Sequence, residues 1–389
     1  MILRDLQAKI QKYLKIFPAV AILGPRQVGK TTLVKALTKG QKRKVLYLDL
    51  EKEADVRLLK KDAQEFLSHY ADEVVVIDEV QRIPKLFVLL RPLIDEKRKP
   101  SRFILTGSAS PELMKGASES LAGRIIYTYL FPINISELPA NISLRQHWLR
   151  GGFPVSLIAR NKEVADVWFD SFITAYIERD LSFIFDFQFS APLMKRMWGM
   201  LAHLQSQLLN IEDLGRSLDV SATTVRRYLD YLEGAFIIHR LPPYHVNMKK
   251  RLVKTPKIYI LDSGLVHRLL NIDSTKELIS SPYVGASWEG YVMSQIYYAK
   301  SEKLTLYFYR THDNAECDLV ITKGHLVKAC VEIKYSRAPS LTKGFYQSIT
   351  DLKSTNNFVI CQTDHPYKNK DGIHFTNLQT FIQDILPSI

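Results

Sequence analysis

Short, unbroken apolar runs recur through the first third of the chain: Ala19-Val20-Ala21-Ile22-Leu23, Val45-Leu46-Tyr47-Leu48, Val74-Val75-Val76-Ile77 and Phe103-Ile104-Leu105. Runs of this length without polar alternation belong to strands buried on both faces of a parallel sheet. Between them, residues 32–37, 51–66 and 87–96 carry helical spacing, and residues 125–130 form a further strand-like stretch. Strand alternating with helix predicts an α/β domain over residues 1–150, a parallel sheet with helices on both faces.

The pattern changes at Gly151-Gly152-Phe153-Pro154, a breaker cluster that marks a boundary. Residues 151–275 are predicted mostly helical, with one helix over 163–181. Residues 211–218 form a short helix, Asp219-Val220-Ser221 a turn, and residues 222–232 a second helix capped by Ser221. Leu214, Leu218, Val225 and Leu229 fall on its buried side. Two strands follow, 236–241 and 257–262, so the segment reads as a winged helix. Thr223, Thr224, Arg226 and Arg227 are its exposed positions and would meet base edges and phosphates in a DNA reader. The alternative is a module that only mediates contacts inside a multidomain protein.

Residues 276–389 suggest a small α/β domain: an amphipathic helix over 287–296, then strands at 305–310, 315–321 and 327–335. Period-two alternation sets Glu316 and Asp318 on one face of their strand, and Glu332 and Lys334 on one face of theirs. Two carboxylates can chelate Mg²⁺ against a scissile phosphate while a lysine orients water or offsets developing charge. Asp318, Glu332 and Lys334 are therefore candidate catalytic residues, with Glu289 completing a metal shell around Asp318 and Glu332. The alternative is a solvated acid-x-lysine face on a domain that does no chemistry.

Composition narrows the partners. Among 389 residues, 53 Lys and Arg against 40 Asp and Glu give a formal charge of +13, which favours a polyanion, DNA first and an acidic membrane surface second. Part of the excess lies in residues 245–257, with Lys249, Lys250, Arg251, Lys254 and Lys257 read as a solvated basic run. No apolar run reaches the length of a membrane span, and Arg4 and Asp5 interrupt any secretory leader. Cys317, Cys330 and Cys361 lack C-x-x-C pairing, and the histidines lack metal-ligand spacing. Reduced core cysteines favour the cytoplasm.

The sharpest signal is Gly24-Pro25-Arg26-Gln27-Val28-Gly29-Lys30-Thr31, a complete G-x-x-x-x-G-K-[ST] loop between a strand and a helix. Its backbone N–H groups and the helix N-terminus would cradle phosphates; Gly24, Gln27, Val28, Gly29 and Thr32 belong to that cradle. Lys30 would meet the β- and γ-phosphates of ATP, and Thr31 would offer its hydroxyl to Mg²⁺. Asp78 and Glu79 end the next fully apolar strand, placing Asp78 in the Mg²⁺ shell and Glu79 as the residue that polarises the attacking water. Thr106 and Ser108 end another strand and are candidates to sense the γ-phosphate. Arg124 is either an arginine finger, toward its own nucleotide or a neighbour's in a homo-oligomer, or a surface salt-bridge arginine.

Together with Leu46-Tyr47-Leu48-Asp49-Leu50-Glu51, Ile77-Asp78-Glu79-Val80-Gln81, Leu105-Thr106-Gly107-Ser108, Leu121-Ala122-Gly123-Arg124 and Gly151-Gly152-Phe153-Pro154, these motifs resemble a widespread prokaryotic family of AAA-type ATPases. That family carries a C-terminal domain of unknown function of the DUF4143 kind. The resemblance covers essentially the whole chain. It implies a P-loop ATPase core, a winged helix and a C-terminal domain similar to restriction endonucleases of the PD-(D/E)xK type. The nuclease pattern matches at Asp318, Glu332 and Lys334, with Cys317 where the pattern has proline. Two functions stay open. One is an ATPase that binds DNA and cuts it; the other is a nucleotide-gated regulatory or scaffolding protein whose nuclease-like domain only docks.

Overall fold

The computed structural model describes residues 2–40, 42–110, 121, 123–185, 187, 189–245 and 253–389. They fall into two compact units. One comprises Met1–Ile133, Asp170–Ala191 and Tyr228–Ile237; the other comprises Asn134–Phe169, Pro192–Arg227 and Ile238–Ile389.

The first unit runs α1 (Leu6–Leu14), β1 (Ala19–Leu23), α2 (Lys30–Thr38), β2 (Val45–Asp49), α3 (Glu53–Ser68), β3 (Val74–Asp78), α4 (Leu86–Glu96), β4 (Phe103–Gly107) and β5 (Ile125–Tyr129). Its five strands are all parallel, in the order β2-β3-β4-β1-β5. Strands β1, β3 and β4 are buried along their whole length, as their apolar runs require. Each such Val, Ile or Leu contributes about 1.5–3 kcal/mol by leaving water.

The strand order is what builds the site. Strand β4 lies between β1 and β3, and parallel strands all end at one edge of the sheet. Residues 24–31, Thr106 to Ser108, and Asp78 with Glu79 are therefore delivered to that same edge. At Gly24 the backbone passes so close to β5's exit that a Cβ would sit 2.0 Å from the Leu130 carbonyl oxygen. Only glycine fits there.

The helix expected over 163–181 is α6 (Lys162–Ala175), which runs on through a π-helical turn at Tyr176–Asp180 into a last helical segment at Leu181–Phe185; α5 (Leu144–Arg150) precedes it. A π turn shifts the register of the side chains after it, so the regular spacing loses its phase there and stops short of the helix's end at Phe185. Helices α7 (Ile211–Leu218), in the second unit, and α8 (Ala222–Gly234), whose residues from Tyr228 on belong to the first, form the expected helix–turn–helix, followed in the second unit by the antiparallel pair β6 (Ile238–Leu241) and β7 (Lys257–Ile260). Leu214, Leu218, Val225 and Leu229 are all buried. Thr224 departs from its expected exposure: it is half-buried, its N–H donates to Ser221 Oγ at 3.1 Å, and its hydroxyl meets Ser221 Oγ at 3.0 Å. It serves the helix cap.

The second unit also holds α9 (Ser263–Leu269), α10 (Val284–Ala299), β8 (Leu304–Arg310), β9 (Glu316–Lys323), β10 (Leu326–Ile333), α11 (Lys343–Leu352), β11 (Asn357–Ile360), β12 (Tyr367–Lys368) and β13 (His374–Thr376). The sheet order is β12-β13-β11-β10-β9-β8, antiparallel from β8 to β10 and parallel from β10 to β11 and on to β13. Helix α10 is not amphipathic as expected. It buries Ser287, Trp288 and every residue from Gly290 to Ile296, inside a cluster that includes Trp148, Tyr259, Leu319 and Val331.

The Gly151-Gly152 pair is not slack chain. Gly151 has φ +71°, and a Cβ there would lie 2.1 Å from Asp262 Oδ1. Gly152 N donates to Asp262 Oδ2 at 2.8 Å, while Asp262 Oδ1 caps α9 by accepting from Leu265 N at 2.9 Å. All three cysteines are free and buried, and no helix among the described residues is long and apolar enough to cross a membrane.

Candidate functional site

Helix α2 begins on the phosphate-loop lysine. Lys30 is buried, and its Nζ donates to the carbonyl oxygens of Gly24 and Pro25, both at 2.9 Å, and to Ser108 Oγ at 2.8 Å. Glu79 Oε1 stands 4.0 Å away. Burial lowers the Lys30 pKa, opposed mainly by Glu79 and Asp78. The ammonium is thus held almost wholly by neutral acceptors.

The two carboxylates at the end of β3 are fixed separately. Asp78 Oδ2 accepts from Thr31 Oγ1 at 2.9 Å and from the Tyr47 hydroxyl, while Oδ1 accepts from the Thr106 hydroxyl. The same Thr106 oxygen accepts from Glu79 N at 3.1 Å. Glu79 adopts a left-handed backbone, φ +58°, which turns its side chain off the strand. Its Oε1 accepts from Ser108 Oγ at 3.1 Å and its Oε2 from Gln81 Nε2; Gln81 Oε1 in turn accepts from Ser108 N at 3.2 Å. Lys30, Ser108, Glu79 and Gln81 form one hydrogen-bonded chain. A carboxylate paired with a threonine hydroxyl is a hard oxygen donor set that suits Mg²⁺.

Other expected cradle residues sit around this chain. Val28 is buried, and Gln27 is exposed with φ +63°. Thr32 is exposed on the first turn of α2.

Tyr47 and Gln81 were not singled out by the sequence, although each lies inside a quoted motif. Tyr47 occupies β2, the neighbour of β3, and Gln81 follows the acids by two positions; these spacings were the available signal. Two arginines were also missed. Arg4 donates to Val28 O at 2.8 Å and Phe131 O at 2.6 Å, bracing the loop from α1's start. Arg26, inside the loop, meets the buried Asp180 carboxylate at 3.0 Å and also Glu51.

Arg124 takes the salt-bridge alternative in this structure. Ala19 N, at the start of β1, donates to Arg124 O at 3.2 Å, so Arg124 lies at the N-terminal edge of the sheet. Five strand residues, about 16 Å, separate that edge from the phosphate loop. Its guanidinium is bidentate to Asp95, at 2.7 and 2.8 Å. As placed, the guanidinium is engaged at that edge and not at the phosphate loop.

The C-terminal carboxylates converge on a lysine that the sequence placed among solvated cations. Lys257, on β7, is 3% exposed, and its Nζ lies 3.1 Å from Glu289 Oε1, 3.4 Å from Glu316 Oε1 and 3.4 Å from Asp318 Oδ1. Burial works against its charge, yet Glu289, Tyr259, Asp318 and Glu316 hold its pKa well above that of ordinary lysine. Lys334 Nζ pairs with Glu332 Oε1 at 2.7 Å, and Asp318 Oδ2 accepts from Ile333 N at 2.9 Å. Burial raises Glu289 to about 7 and Glu332 to about 8. The expected residues therefore share one pocket, with Glu332 Oε2 buried and without a hydrogen-bond partner. Among the described residues, however, no three of His, Cys, Asp and Glu are grouped to hold a metal ion. In this arrangement the carboxylates fit an ammonium.

On the helix–turn–helix, Thr223, Arg226 and Arg227 are exposed; Lys249, Lys250 and Arg251 lie outside the described residues.

Family models match the chain in three consecutive pieces: an AAA domain at residues 17–139, a domain of unknown function (DUF8612) at 141–276, and another (DUF4143) at 284–381. The chain is 39% identical over 370 residues to Uncharacterized protein Rv2008c of Mycobacterium tuberculosis and equally to Uncharacterized protein Mb2031c of Mycobacterium bovis, covering 95% of this chain and 82% of each relative. Among solved structures it is similar to the Walker-type ATPase PABY2304 of Pyrococcus abyssi, at 16% identity and a TM-score of 0.47, over 69% of this chain and 96% of that one. With its five-stranded parallel sheet and complete phosphate loop, the chain belongs to the same family as these mycobacterial proteins, and it carries an AAA-type P-loop ATPase domain and a C-terminal DUF4143 domain.

Proposed function

We propose that this chain hydrolyses ATP and uses the cycle to control a DNA-bound state, its C-terminal pocket serving a regulatory or docking role. The observation that carries the ATPase reading is the hydrogen-bonded chain from Lys30 through Ser108 to Glu79. It couples the phosphate-facing cation to the carboxylate best placed to take a proton from water, so a γ-phosphate drawing Lys30 away would alter the hold on Glu79. Thr31 and Asp78 would hold Mg²⁺, with Gly24, Gln27, Val28, Gly29 and Thr32 around the phosphates. Bound Mg²⁺ would supply charge neutralisation at the phosphate oxygens. Thr106 fixes both acids and Gln81 orients Glu79. Purified wild type should turn over ATP, and Glu79→Gln should bind it with little turnover; equal turnover removes Glu79 from the mechanism.

DNA binding is supported by the charge of +13 and by Arg226 and Arg227 on the exposed side of α8, followed by a two-stranded wing. We read residues 222–232 as the recognition helix of a winged helix. Neutralising Arg226, Arg227, Lys249, Lys250 and Arg251 together should weaken binding and flatten its salt dependence by about 0.9 in log–log slope per lost phosphate contact. An unchanged slope places the DNA surface elsewhere. We further propose three functional segments, 1–150, 151–275 and 276–389, a cytoplasmic setting, and a homo-oligomer if Arg124 serves a neighbour. The consecutive family matches support the segments.

For the C-terminal pocket, the Lys257 ammonium among Glu289, Glu316 and Asp318 favours docking over metal-dependent cleavage. Plasmid incubated with Mg²⁺ or Mn²⁺, with and without ATP, should stay intact. Cleavage lost in Asp318→Ala would restore Asp318, Glu332 and Lys334 as a nuclease site.

A further inference from the structure

We propose that Lys257 is the resident cation of the C-terminal pocket, standing where a divalent ion would otherwise bind, and that removing it creates a metal site. The inference rests on the docking reading of the pocket and explains it. Among the described residues, Lys257 is the one side chain that touches three of the four carboxylates, Glu289, Glu316 and Asp318; Arg310 also reaches Glu316, at 3.8 Å, and the fourth, Glu332, is paired to Lys334. Nor is its position incidental. Lys257 pairs with Leu241 across β6–β7 and forms a bridge with Leu208, and the adjacent Pro256 carbonyl accepts from Leu209 N at 2.9 Å. The backbone is pinned on both sides, so the ammonium is delivered from a fixed strand. Tyr259, two positions on along β7, donates to Glu289 Oε1 at 2.7 Å and holds that carboxylate toward the lysine.

The pocket also shows what a cation of higher charge would gain. Glu332 Oε2 is buried with no hydrogen-bond partner, and a monovalent ammonium already engaged by three carboxylates leaves it so. Buried carboxylates stripped of a cation are costly, and a hard divalent ion takes several carboxylate oxygens at once. Taking away Lys257 would leave these acids, which as they stand are not grouped to hold a metal ion, without a cation and driven to close on such an ion.

The test is Mn²⁺ binding to the full-length protein, followed by calorimetry and by Mn²⁺ electron paramagnetic resonance. Wild type should bind Mn²⁺ at least tenfold more weakly than Lys257→Met, roughly the effect of releasing one full charge from the site. Adding Glu332→Gln to Lys257→Met should erase the gain. Equal binding in wild type and Lys257→Met, or no binding in either, overturns the inference. If Lys257→Met does not fold, lysine acetylation of the wild type followed by mass spectrometry decides. Lys257 labelling should stay low whether or not Mn²⁺ is present; labelling that rises with Mn²⁺ would show a mobile lysine that metal displaces, and overturns residence. Asp318-dependent cleavage by the wild type would sink the docking reading by a separate measurement.

Discussion

Two buried lysines, one in each compact unit, stand in opposite electrostatic positions. Lys30 donates to two carbonyls and a hydroxyl, its nearest carboxylate is at 4.0 Å, and its pKa is lowered. Lys257 is held by three carboxylates within 3.4 Å, and its pKa is raised. A lysine on neutral acceptors keeps unspent charge and can turn to an anionic ligand at little cost. One surrounded by acids is already paired, and moving it would expose several buried negative charges. The first arrangement belongs to a site that binds phosphates, the second to one whose charge is settled internally.

The contrast is easiest to break through stability. Lys257→Met should cost about 3–5 kcal/mol, because it leaves buried carboxylates without their cation. Lys30→Met should cost under about 1.5 kcal/mol, since only hydrogen bonds to neutral groups are lost. Urea denaturation of both variants checks this, and equal losses would erase the distinction.

Ligand binding should reverse the order. Lys30→Ala is expected to weaken ATP binding roughly hundredfold, about 3 kcal/mol of charge-assisted hydrogen bonding, whereas Lys257→Met leaves it unchanged. Fluorescent-nucleotide titration reads both. Glu79→Gln should keep ATP affinity while turnover falls on the order of 10²-fold or more, as for loss of a general base.

A third prediction concerns the second unit's other buried titratable groups. Burial holds His267 near 4, below its ordinary 6.5, so the unfolded chain takes up the proton first and stability rises with pH from about 4 to 6.5. Burial holds Asp262 near 6, above 3.8, so here the folded state takes up the proton first and stability falls as pH rises over about 4 to 6. Each amounts to about 3 kcal/mol and they oppose, so the two nearly cancel from pH 4 to 6 and leave the fall set by Glu289 and Glu332, which burial raises to about 7 and about 8. Relative to wild type, His267→Gln should steepen the fall across that range, and Asp262→Asn should lessen it. Parallel profiles for the two variants would show that neither group titrates as described.

The smallest effect should come from Arg124→Ala. Its partner Asp95 is exposed, so melting temperature and dilute ATP turnover should barely move. A drop in turnover confined to high protein concentration would assign Arg124 to a neighbour's nucleotide; no drop at any concentration leaves only the salt bridge.

The chain's apolar runs determined the parallel sheet, and the spacing of Gly24, Gly29, Lys30 and Thr31 determined the phosphate loop. Both are local: a strand buried on two faces needs an unbroken run, and a loop around an anion needs glycine at set intervals. The helix–turn–helix was legible for the same reason, from Leu214, Leu218, Val225, Leu229 and the Ser221 cap. Tertiary structure alone decided the rest. Strand order put Ser108 between Lys30 and Glu79, and the direction of β5 carried Arg124 to the edge away from the phosphate loop. Enclosure removed the polar face expected on α10. Lys257 is the clearest case, because one more cation in a basic run carries no mark of burial. Its role depends on Glu289, Glu316 and Asp318, which lie 32 to 61 residues further along the chain and reach it only when the sheet has folded.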